Sequence, residues 1–328
     1  MKILVTGATG DVGREVTARL LEEGLAVRAL CRAAPDGLPP GVEVASGTLE
    51  SPAQLAAATR GVDAVVHCAA HLGNGGRTVH RRVNVAGTRA VLAAAQDAGV
   101  RRVVHLSSVA VYGRKDDGQT VCPADGYDPC PTLRCDYAWS KIAAERWVDL
   151  YRAEGVLDPV VLRPGIVYGG RRDFLARVAR RGPRGLLLVL GSPTMLLPLV
   201  HVRDVAEAVV RTLRLARAPA APLDLVGPRP PTQAEWLALR CATGDERLVP
   251  LYLPVARVLR VLTALPGPAR ARAYRLAWAT QSVRYDDAAV TRALGWRPGI
   301  HLDQGLAPPA EARVARGVVM SEGGVVLP

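Results

Sequence analysis

A glycine-rich segment near the start of the chain, Gly7-Ala8-Thr9-Gly10-Asp11-Val12-Gly13, constrains the fold more than any other feature. An apolar run at residues 2–6 precedes it, and apolar residues at helical spacing follow at 14–23. A strand, a glycine turn and a helix in this order form the first unit of a parallel α/β sheet. Glycine permits the tight turn, the close approach of a pyrophosphate and tight packing of helix on strand. Because a helix N-terminus favours anions, the segment predicts a dinucleotide site that uses Gly7, Thr9, Gly10, Asp11, Val12 and Gly13.

Apolar runs and helical patterns keep alternating through the first half of the chain. Strand-length runs lie at residues 26–31, 42–45, 63–68, 103–107 and 160–163, and helical patterns at 51–60, 78–98 and 137–153. Strands that alternate with helices predict an α/β fold, here a doubly wound parallel sheet of the Rossmann type. After residue 169 the rhythm changes, and a helix predicted at 173–181 leads into an apolar, proline-broken stretch.

This change of rhythm predicts two domains. Residues 1–169 form the dinucleotide-binding domain, and residues 200–227 are expected to return to it. A smaller, mostly C-terminal substrate-binding domain takes residues 170–199 and 228–310, and residues 311–328 form a poorly patterned tail.

Charge and composition narrow the classes of partner. The formal net charge is +12, but the basic residues are spread along the whole chain and aromatic residues make up only 4%. A nucleic-acid partner is not expected, since platforms that stack on bases need aromatic side chains. No apolar run approaches the ~18 residues of a membrane span and no signal peptide pattern is present, so a cytoplasmic protein is expected. The six cysteines form no CxxC pair and no zinc pattern, so no metal site is predicted.

The end of the second predicted strand bears on the choice of dinucleotide. An acidic residue at this place would hold the ribose 2′-hydroxyl group of NAD. The chain has Leu30-Cys31-Arg32 instead, so no carboxylate repels a 2′-phosphate, and the Arg32 guanidinium could pair with one. The sequence therefore favours NADP(H) over NAD(H).

A tyrosine and a lysine four residues apart, Tyr137 and Lys141, lie within a predicted helix. This spacing places both side chains on one helix face, where the lysine ammonium favours the phenolate form of the tyrosine. Such a pair can exchange a proton with an alcohol or a ketone near neutral pH. Two serines, Ser107 and Ser108, follow the fifth predicted strand, at the sheet edge where ligands bind. A serine hydroxyl group there can hydrogen-bond a substrate oxygen.

In this order, the glycine segment, the serine pair and the YxxxK pair closely resemble the extended type of the short-chain dehydrogenase/reductase superfamily. The resemblance covers most of the chain and includes residues 67–70 (HCAA), 84–88 (NVAGT), 162–169 (LRPGIVYG), 201–206 (HVRDVA) and 294–298 (LGWRP). It implies that Tyr137 is the general acid/base, that Lys141 tunes it and holds the nicotinamide ribose, and that Ser108 is the catalytic serine. Beside the glycine segment and Arg32, the implied cofactor contacts are Thr48, Leu49, Ala69, Ala70, Asn84, Ser107, Tyr137, Lys141, Pro164, Gly165 and Val167.

Departures from the family's patterns bear on function. Asp11 stands where an aromatic or bulky apolar residue is usual, and residues 47–49 (GTL) lack the usual aspartate that contacts adenine. Residues 108–110 (SVA) lack the Thr-Asp-Glu triplet of the sugar-nucleotide dehydratases, which argues against dehydration. Residues 163–166 (RPGI) lack the asparagine with which the epimerases bind the diphosphate of a nucleotide sugar. Within the family, these departures favour the reductase and 3β-hydroxysteroid-dehydrogenase-like branches.

These observations predict an NADPH-dependent reductase of a small-molecule ketone, or the reverse dehydrogenase, with hydride transfer and Ser/Tyr/Lys acid-base catalysis. The alternative is a nucleotide-sugar epimerase or 4-ketoreductase with the same three residues. A dinucleotide-binding sensor without activity is a third interpretation, which the intact residue set disfavours. The leucine-rich stretch at 251–265 would suit a lid over an apolar substrate, and a place in the core fits it equally well. Because related enzymes are often dimers, a homodimer is one expected state.

Four other polar residues have expected places. His201 and Asp204 are expected to be structural. His71 and His80 are expected to lie in a loop or on a helix surface.

Overall fold

The computed structural model describes residues 1–33, 37–170, 179–181, 186–242, 249–253, 259 and 268–306. The predicted tail at 311–328 lies outside these residues, and so does most of the stretch at 251–265. No helix among the described residues is long and apolar enough to cross a membrane.

The strands of the described chain are short, and all but one run for six residues or fewer. In chain order they are β1 (Lys2–Thr6), β2 (Ala26–Cys31), β3 (Glu43–Ser46), β4 (Ala64–His67), β5 (Arg102–Leu106), β6 (Thr120–Val121), β7 (Asp158–Pro164), β8 (Ile166–Tyr168), β9 (Ala179–Arg181), β10 (Leu186–Leu190), β11 (Leu199–His201), β12 (Leu223–Leu225), β13 (Val249–Leu253) and β14 (Arg284–Tyr285).

One sheet of seven parallel strands organises the molecule, in the order β12-β7-β5-β4-β1-β2-β3. The chain starts at β1, winds outward to β3, and returns past β1 to build the other half from β4 onward. This is the doubly wound Rossmann arrangement predicted from the sequence, and the fold class is confirmed. The carboxyl ends of the strands meet at one edge, where the loops that follow them converge.

Helices cover both faces of this sheet. The helices are α1 (Asp11–Glu22), α2 (Pro52–Thr59), α3 (Gly76–His80), α4 (Gly87–Asp97), α5 (Asp136–Ala153), α6 (Val202–Leu213), α7 (Gln233–Ala242), α8 (Pro268–Ala279), α9 (Ala288–Leu294) and α10 (Leu302–Leu306). A π-helical segment, Arg81–Ala86, joins α3 to α4.

Alternate residues of the central strands enter two different core layers. Along β1, Ile3 and Val5 pack with Val16 of α1 and Val209 of α6, whereas Leu4 packs on the opposite face. This alternation is the period of two that a strand buried on both faces requires. Each layer excludes water from one face of the sheet, so the strand ends are held rigidly.

Smaller sheets lie beside the main one. They pair β13 with β10 and β10 with β9, β11 with β8, and β14 with β6. The strand β12 comes from residues 223–225 and forms an edge of the main sheet beside β7. The division into two domains stays a prediction.

The structure corrects two predictions of helix. Residues 179–181, the described end of the helix predicted at 173–181, form β9 because they pair antiparallel with residues 187–189. The helix predicted at 78–98 is interrupted by the π-helical segment. There the hydroxyl group of Thr88 donates to the Asn84 carbonyl over 2.6 Å, and a side-chain hydrogen bond of this kind competes with regular helix geometry.

The prediction that His80 lies on a surface is also wrong. His80 is buried, with 3% of its surface exposed. Its ring packs against the rings of His71 and Tyr137, and its Nε2 atom lies 3.2 Å from the carbonyl oxygen of Gly73. The single sequence contains no signal for this burial, because it comes from the loop after β4 folding over the helix.

Candidate active site

A cleft of about 1330 Å³ opens at the carboxyl edge of the main sheet. The structure brings all but one of the site residues predicted from the sequence to its walls. They are Gly7, Thr9, Gly10, Asp11, Val12, Gly13, Arg32, Thr48, Leu49, Ala69, Ala70, Ser107, Ser108, Tyr137, Lys141, Pro164, Gly165 and Val167.

The glycine segment after β1 forms a cradle that a side chain would fill. Gly7 has a φ of +73°, and a Cβ atom on it would lie 2.6 Å from the backbone of Ala69. A Cβ atom on Gly13 would overlap the carbonyl oxygen of Gly7. The amide of Gly10, the residue before α1, donates to that same carbonyl over 3.0 Å. The turn therefore needs glycine, and it leaves the N-terminus of α1 facing the cleft.

At the far end of the cleft, Arg32 follows the last residue of β2 and its side chain is exposed. The side chain of Arg14, in the first turns of α1, donates to the carbonyl of Gly37. The hydroxyl group of Thr48 accepts from the amide of Glu50 over 2.9 Å, so its oxygen helps to shape its own turn. Among the described residues at the end of β2, Arg32 is thus the basic residue that lines the cleft.

Lys141 lies under the middle of the cleft, on α5, and is only 4% exposed. Its Nζ atom donates to the carbonyl oxygen of Leu106 over 2.6 Å. Burial lowers the pKa of Lys141 to about 8, although the Glu145 carboxylate and Cys68 oppose this. Tyr137 lies one helical turn earlier and also lines the cleft, so both side chains share one face of α5.

The two serines differ in their surroundings. The Oγ atom of Ser108 accepts from the amide of Ala110 over 3.2 Å and caps the 3₁₀ turn Val109–Val111. The Oγ atom of Ser107 is buried and has no hydrogen-bond partner among the described residues, although the residue lines the cleft. A buried hydroxyl group without a partner is costly, and a ligand in the cleft could satisfy it.

Asn84 is the predicted site residue that the structure does not bring into the cleft. It is 1% exposed, and its Oδ1 atom accepts from the amide of His71 over 2.7 Å. Its Nδ2 atom donates to the His71 carbonyl over 3.1 Å and to the Ser140 hydroxyl over 2.8 Å. Asn84 therefore fastens the loop after β4 to α5, which carries Tyr137.

A buried polar layer supports this part of the sheet from below. The Nδ1 and Nε2 atoms of His67 lie 2.7 Å and 3.0 Å from the hydroxyl oxygens of Thr6 and Thr88. Thr88 gives its own hydrogen to Asn84, so it must accept from His67, and His67 accepts from Thr6. Burial lowers the pKa of His67 to about 3, which keeps the ring neutral beneath the lysine.

Sequence reasoning missed the wall opposite the glycine segment. It is built by Met195, Leu196, Leu197, Trp278, Val283 and Tyr285. These side chains are apolar or aromatic, and they come from two segments about 80 residues apart in the sequence. No local spacing could have identified them, because residues 195–197 and 278–285 become neighbours only in the folded chain.

Comparisons with known proteins agree with this architecture. The model of the NAD dependent epimerase/dehydratase family matches residues 3–225. A 2-alkyl-3-oxoalkanoate reductase of Stenotrophomonas maltophilia (strain K279a) is 32% identical over 211 residues, which are 63% of this chain and 64% of that protein. A sterol demethylase protein B of Methylococcus capsulatus is 38% identical over 181 residues, or 52% of each chain. The chain thus spans about half to two thirds of these curated relatives.

Two further proteins match over nearly their whole length. A UDP-glucose 4-epimerase of Vibrio cholerae is 28% identical over 326 residues, 94% of each chain. The solved structure of MoeE5 in complex with UDP-glucose and NAD is 26% identical, with a TM-score of 0.74 over 97% of this chain and 100% of that one. Since the family model covers more than half of the chain, the protein belongs to the NAD dependent epimerase/dehydratase family, within the extended short-chain dehydrogenase/reductase superfamily.

Proposed function

We propose that the protein is an NADPH-dependent reductase of a ketone, or the reverse alcohol dehydrogenase. The observation that carries this proposal is the single cleft that holds the glycine cradle, Ser107, Ser108, Tyr137 and Lys141. Proton-exchanging and anion-binding groups thus line one cavity, as a hydride transfer to a carbonyl requires.

The cleft fits a nicotinamide dinucleotide. The cradle at Gly7 and Gly13 leaves room only for backbone, beside a helix N-terminus that favours a pyrophosphate. The partnerless hydroxyl group of Ser107 marks a polar contact for a ligand in the same cleft. Pro164, Gly165 and Val167 also line the cleft. When bound, the dinucleotide would supply the hydride or accept it.

Arg32 supports the preference for NADPH. Its guanidinium is exposed at the cleft beyond β2, at the end where the motif places the ribose. A 2′-phosphate would pair there with a cation, and no carboxylate stands in the adjacent Leu30-Cys31-Arg32 sequence to repel it.

Tyr137 is proposed to deliver the proton to the ketone oxygen. The pKa of about 8 leaves Lys141 mostly charged at pH 7, and its ammonium favours the phenolate that remains after proton delivery. The lysine is kept in place by the carbonyl of Leu106.

Ser108 is proposed to orient the substrate oxygen. Its Oγ atom already accepts from Ala110, so its own hydrogen is left to donate to an oxygen that gains negative charge. The hydrogen bond to Ala110 also fixes the direction of the hydroxyl group. Ser108 would then hold the carbonyl toward Tyr137.

The apolar wall supports a substrate with an apolar body. Met195, Leu197, Trp278 and Val283 can cover a hydrocarbon frame and exclude water from the reacting carbonyl. This wall comes from segments assigned above to the substrate-binding domain, which we keep as a proposal. A homodimer and a cytoplasmic location are likewise expectations from the sequence.

A UDP-sugar 4-epimerase or 4-ketoreductase is the second candidate. It is favoured by the similarity to the Vibrio cholerae UDP-glucose 4-epimerase over 94% of both chains and to MoeE5 with UDP-glucose and NAD. Against it, residues 163–166 read Arg-Pro-Gly-Ile, without the asparagine expected for the diphosphate of a nucleotide sugar.

One experiment separates the candidates. The purified protein is examined by native mass spectrometry for a bound dinucleotide, and then assayed with a panel of apolar ketones and NADPH, and with UDP-glucose. Stoichiometric NADPH oxidation with a ketone supports the reductase, whereas tightly held NAD(H) with interconversion of UDP-glucose and UDP-galactose supports the epimerase.

The control variant is Tyr137→Phe. It should keep its affinity for the dinucleotide and lose almost all turnover, by about 100-fold or more. A variant that keeps most of its kcat would reject the acid/base role of Tyr137.

A further inference from the structure

We propose that Arg134 is the positioning residue that sets the separation of Ser108 and Tyr137 and connects both to the cleft wall on α8. This inference rests on the proposed function, because it takes the hydroxyl groups of Ser108 and Tyr137 as the reacting groups. Arg134 itself lies outside the cleft and supports the segments that carry them.

The guanidinium of Arg134 holds the backbone of the serine turn. Its Nη2 atom donates to the carbonyl of Ala110 over 2.9 Å, and its Nη1 atom donates to the carbonyl of Tyr112 over 2.6 Å. Ser108 caps this turn through the amide of Ala110. The same residue, Ala110, is thus held by Arg134 at its carbonyl and by Ser108 at its amide, so a shift of the guanidinium moves the serine.

Arg134 is also close to the tyrosine along the chain. It directly follows the 3₁₀ turn Pro131–Leu133, and α5 begins two residues later with Asp136, next to Tyr137. The side chain of Arg134 therefore holds the turn that Ser108 caps, and its backbone leads into the helix that carries Tyr137. A single residue thus connects the two segments.

The guanidinium is buried and its charge is balanced. Its side chain is 1% exposed and pairs at 2.6 Å with the Asp128 carboxylate, which is fully buried. Asp128 in turn accepts from the hydroxyl group of Tyr274 over 2.7 Å and from the amide of Cys130 over 2.8 Å. A buried pair of this kind needs its full set of hydrogen bonds, so its geometry tolerates little change.

Helix α8 covers this pair and joins it to the cleft wall. The Trp278 ring lies 4.2 Å from the Arg134 guanidinium, centroid to carbon, and its Nε1 atom donates to the Tyr112 carbonyl over 3.0 Å. Trp278 also lines the cleft. The carbonyl of Tyr112 is therefore shared by Arg134 and by the wall that would face the substrate.

A lysine could not replace Arg134. The guanidinium is a planar fork that reaches one carboxylate and two carbonyl oxygens at fixed angles, whereas an ammonium is a compact charge on a flexible stem. Arg134→Lys therefore keeps the charge for Asp128 but loosens the serine turn. This separates a positioning role from a role of the charge alone.

The structure offers a matched control in Arg102. Its guanidinium also binds one carboxylate, Asp158 at 2.7 Å, and two carbonyls, those of Thr212 at 2.8 Å and Leu215 at 2.9 Å. It lies at the amino end of β5, at the opposite edge of the sheet from the cleft. Arg102→Lys disturbs the same kind of fork without touching the serine turn.

The experiment compares Arg134→Lys, Arg102→Lys and Tyr274→Phe with the unchanged protein. Active sites are counted by dinucleotide titration, and kcat, the KM of the ketone, the dinucleotide Kd and the solvent deuterium isotope effect are measured. We expect Arg134→Lys to lower kcat per active site by about 10- to 100-fold, because an ångström of misplacement has a cost of this order. Its dinucleotide Kd should stay within about threefold, and its isotope effect should rise because proton transfer becomes slower.

Tyr274→Phe removes one hydrogen bond to Asp128 outside the cleft, so it tests the proposal even if Arg134→Lys does not fold. It should lower kcat in the same direction by a smaller factor, with an increased isotope effect. Unchanged kcat per active site in either folded Arg134→Lys or Tyr274→Phe overturns the inference. An equal loss of kcat in Arg102→Lys also overturns it, because such a loss would come from a general decrease in stability. If Tyr137→Phe remains active, the acid/base role on which this inference rests fails, independently of these results.

Discussion

The Nζ atom of Lys141 donates to the carbonyl oxygen of Leu106, the last residue of β5, over 2.6 Å. This bond ties α5 to the strand that leads into Ser107 and Ser108. The lysine is thereby buried at the point where a charged group is costly, and its pKa falls to about 8.

Activity should fall as the pH rises through about 8, because Lys141 then loses the charge that favours the phenolate. The folded protein binds fewer protons on this group than the unfolded chain between pH 8 and the ordinary lysine value of 10.5, so its contribution to stability rises there. Both quantities are measured from pH 6 to 10. The reductase rate should fall above pH 8, while the contribution of Lys141 to the free energy of unfolding, followed by urea denaturation, should rise. Lys141→Met should be inactive throughout, while Lys115→Met, which alters a partly exposed lysine outside the cleft lining, should keep the alkaline decline. A rate that stays flat to pH 10 would contradict the role of the lysine charge.

Arg32→Ala should weaken the binding of NADPH by about 10- to 100-fold, which is the range for losing a charge-assisted hydrogen bond. The binding of NADH should change little, since it has no 2′-phosphate. Both dissociation constants can be measured by fluorescence titration. Arg60→Ala, which alters an exposed arginine outside the cleft lining, is the control. Equal losses of affinity for NADPH and NADH would show that Arg32 does not bind the 2′-phosphate.

Gly13→Ala should disrupt the cradle, because the added Cβ atom would overlap the backbone carbonyl oxygen of Gly7. Crowding of this kind costs about 1–3 kcal/mol of folding stability and should abolish dinucleotide binding. Gly299→Ala is a matched control, since its Cβ atom would meet only Asp204 at 3.8 Å. Urea unfolding and dinucleotide titration give the two readouts. Normal binding by Gly13→Ala would show that the turn can move aside.

Glu145→Gln should destabilise the fold by about 3–5 kcal/mol, because it leaves a buried guanidinium without its counter-charge. Glu145 is fully buried and pairs with Arg163 at 2.6 Å, and the Arg163 side chain is only 3% exposed. Glu50→Gln breaks an exposed pair with Arg82 and should change the free energy of unfolding by less than about 1 kcal/mol. Urea denaturation measures both. Similar small losses in the two variants would mean that the buried pair is dispensable.

Much of the fold could be predicted from short stretches of the chain. The glycine segment, the alternation of apolar runs with helical patterns, and the spacing of Tyr137 and Lys141 each involve residues that are neighbours in sequence. Such signals depend on backbone conformation and periodicity, which act over a few residues. They placed the doubly wound sheet correctly, and the structure collects almost every predicted site residue in one cleft.

Other features could not be predicted in this way. Asn84 belongs to a family motif, but its side chain fastens a loop instead of lining the cleft. His80 has the pattern of a helix-surface residue, yet the loop after β4 buries it. In each case the outcome depends on a segment that arrives from elsewhere in the fold.

Local sequence patterns were sufficient to predict the class of sheet and the position of the glycine cradle, and they made Tyr137 and Lys141 the candidates for the proton-exchanging pair. Two contacts exist only in the folded molecule: Arg134 donates to the Ala110 carbonyl, 24 residues away, and Trp278 donates to the Tyr112 carbonyl, 166 residues away. Turns and helices are specified by local backbone preferences. The buried hydrogen bonds of Arg134 and the apolar wall instead gain their free energy from groups that become neighbours only after the sheet and its covering helices have packed.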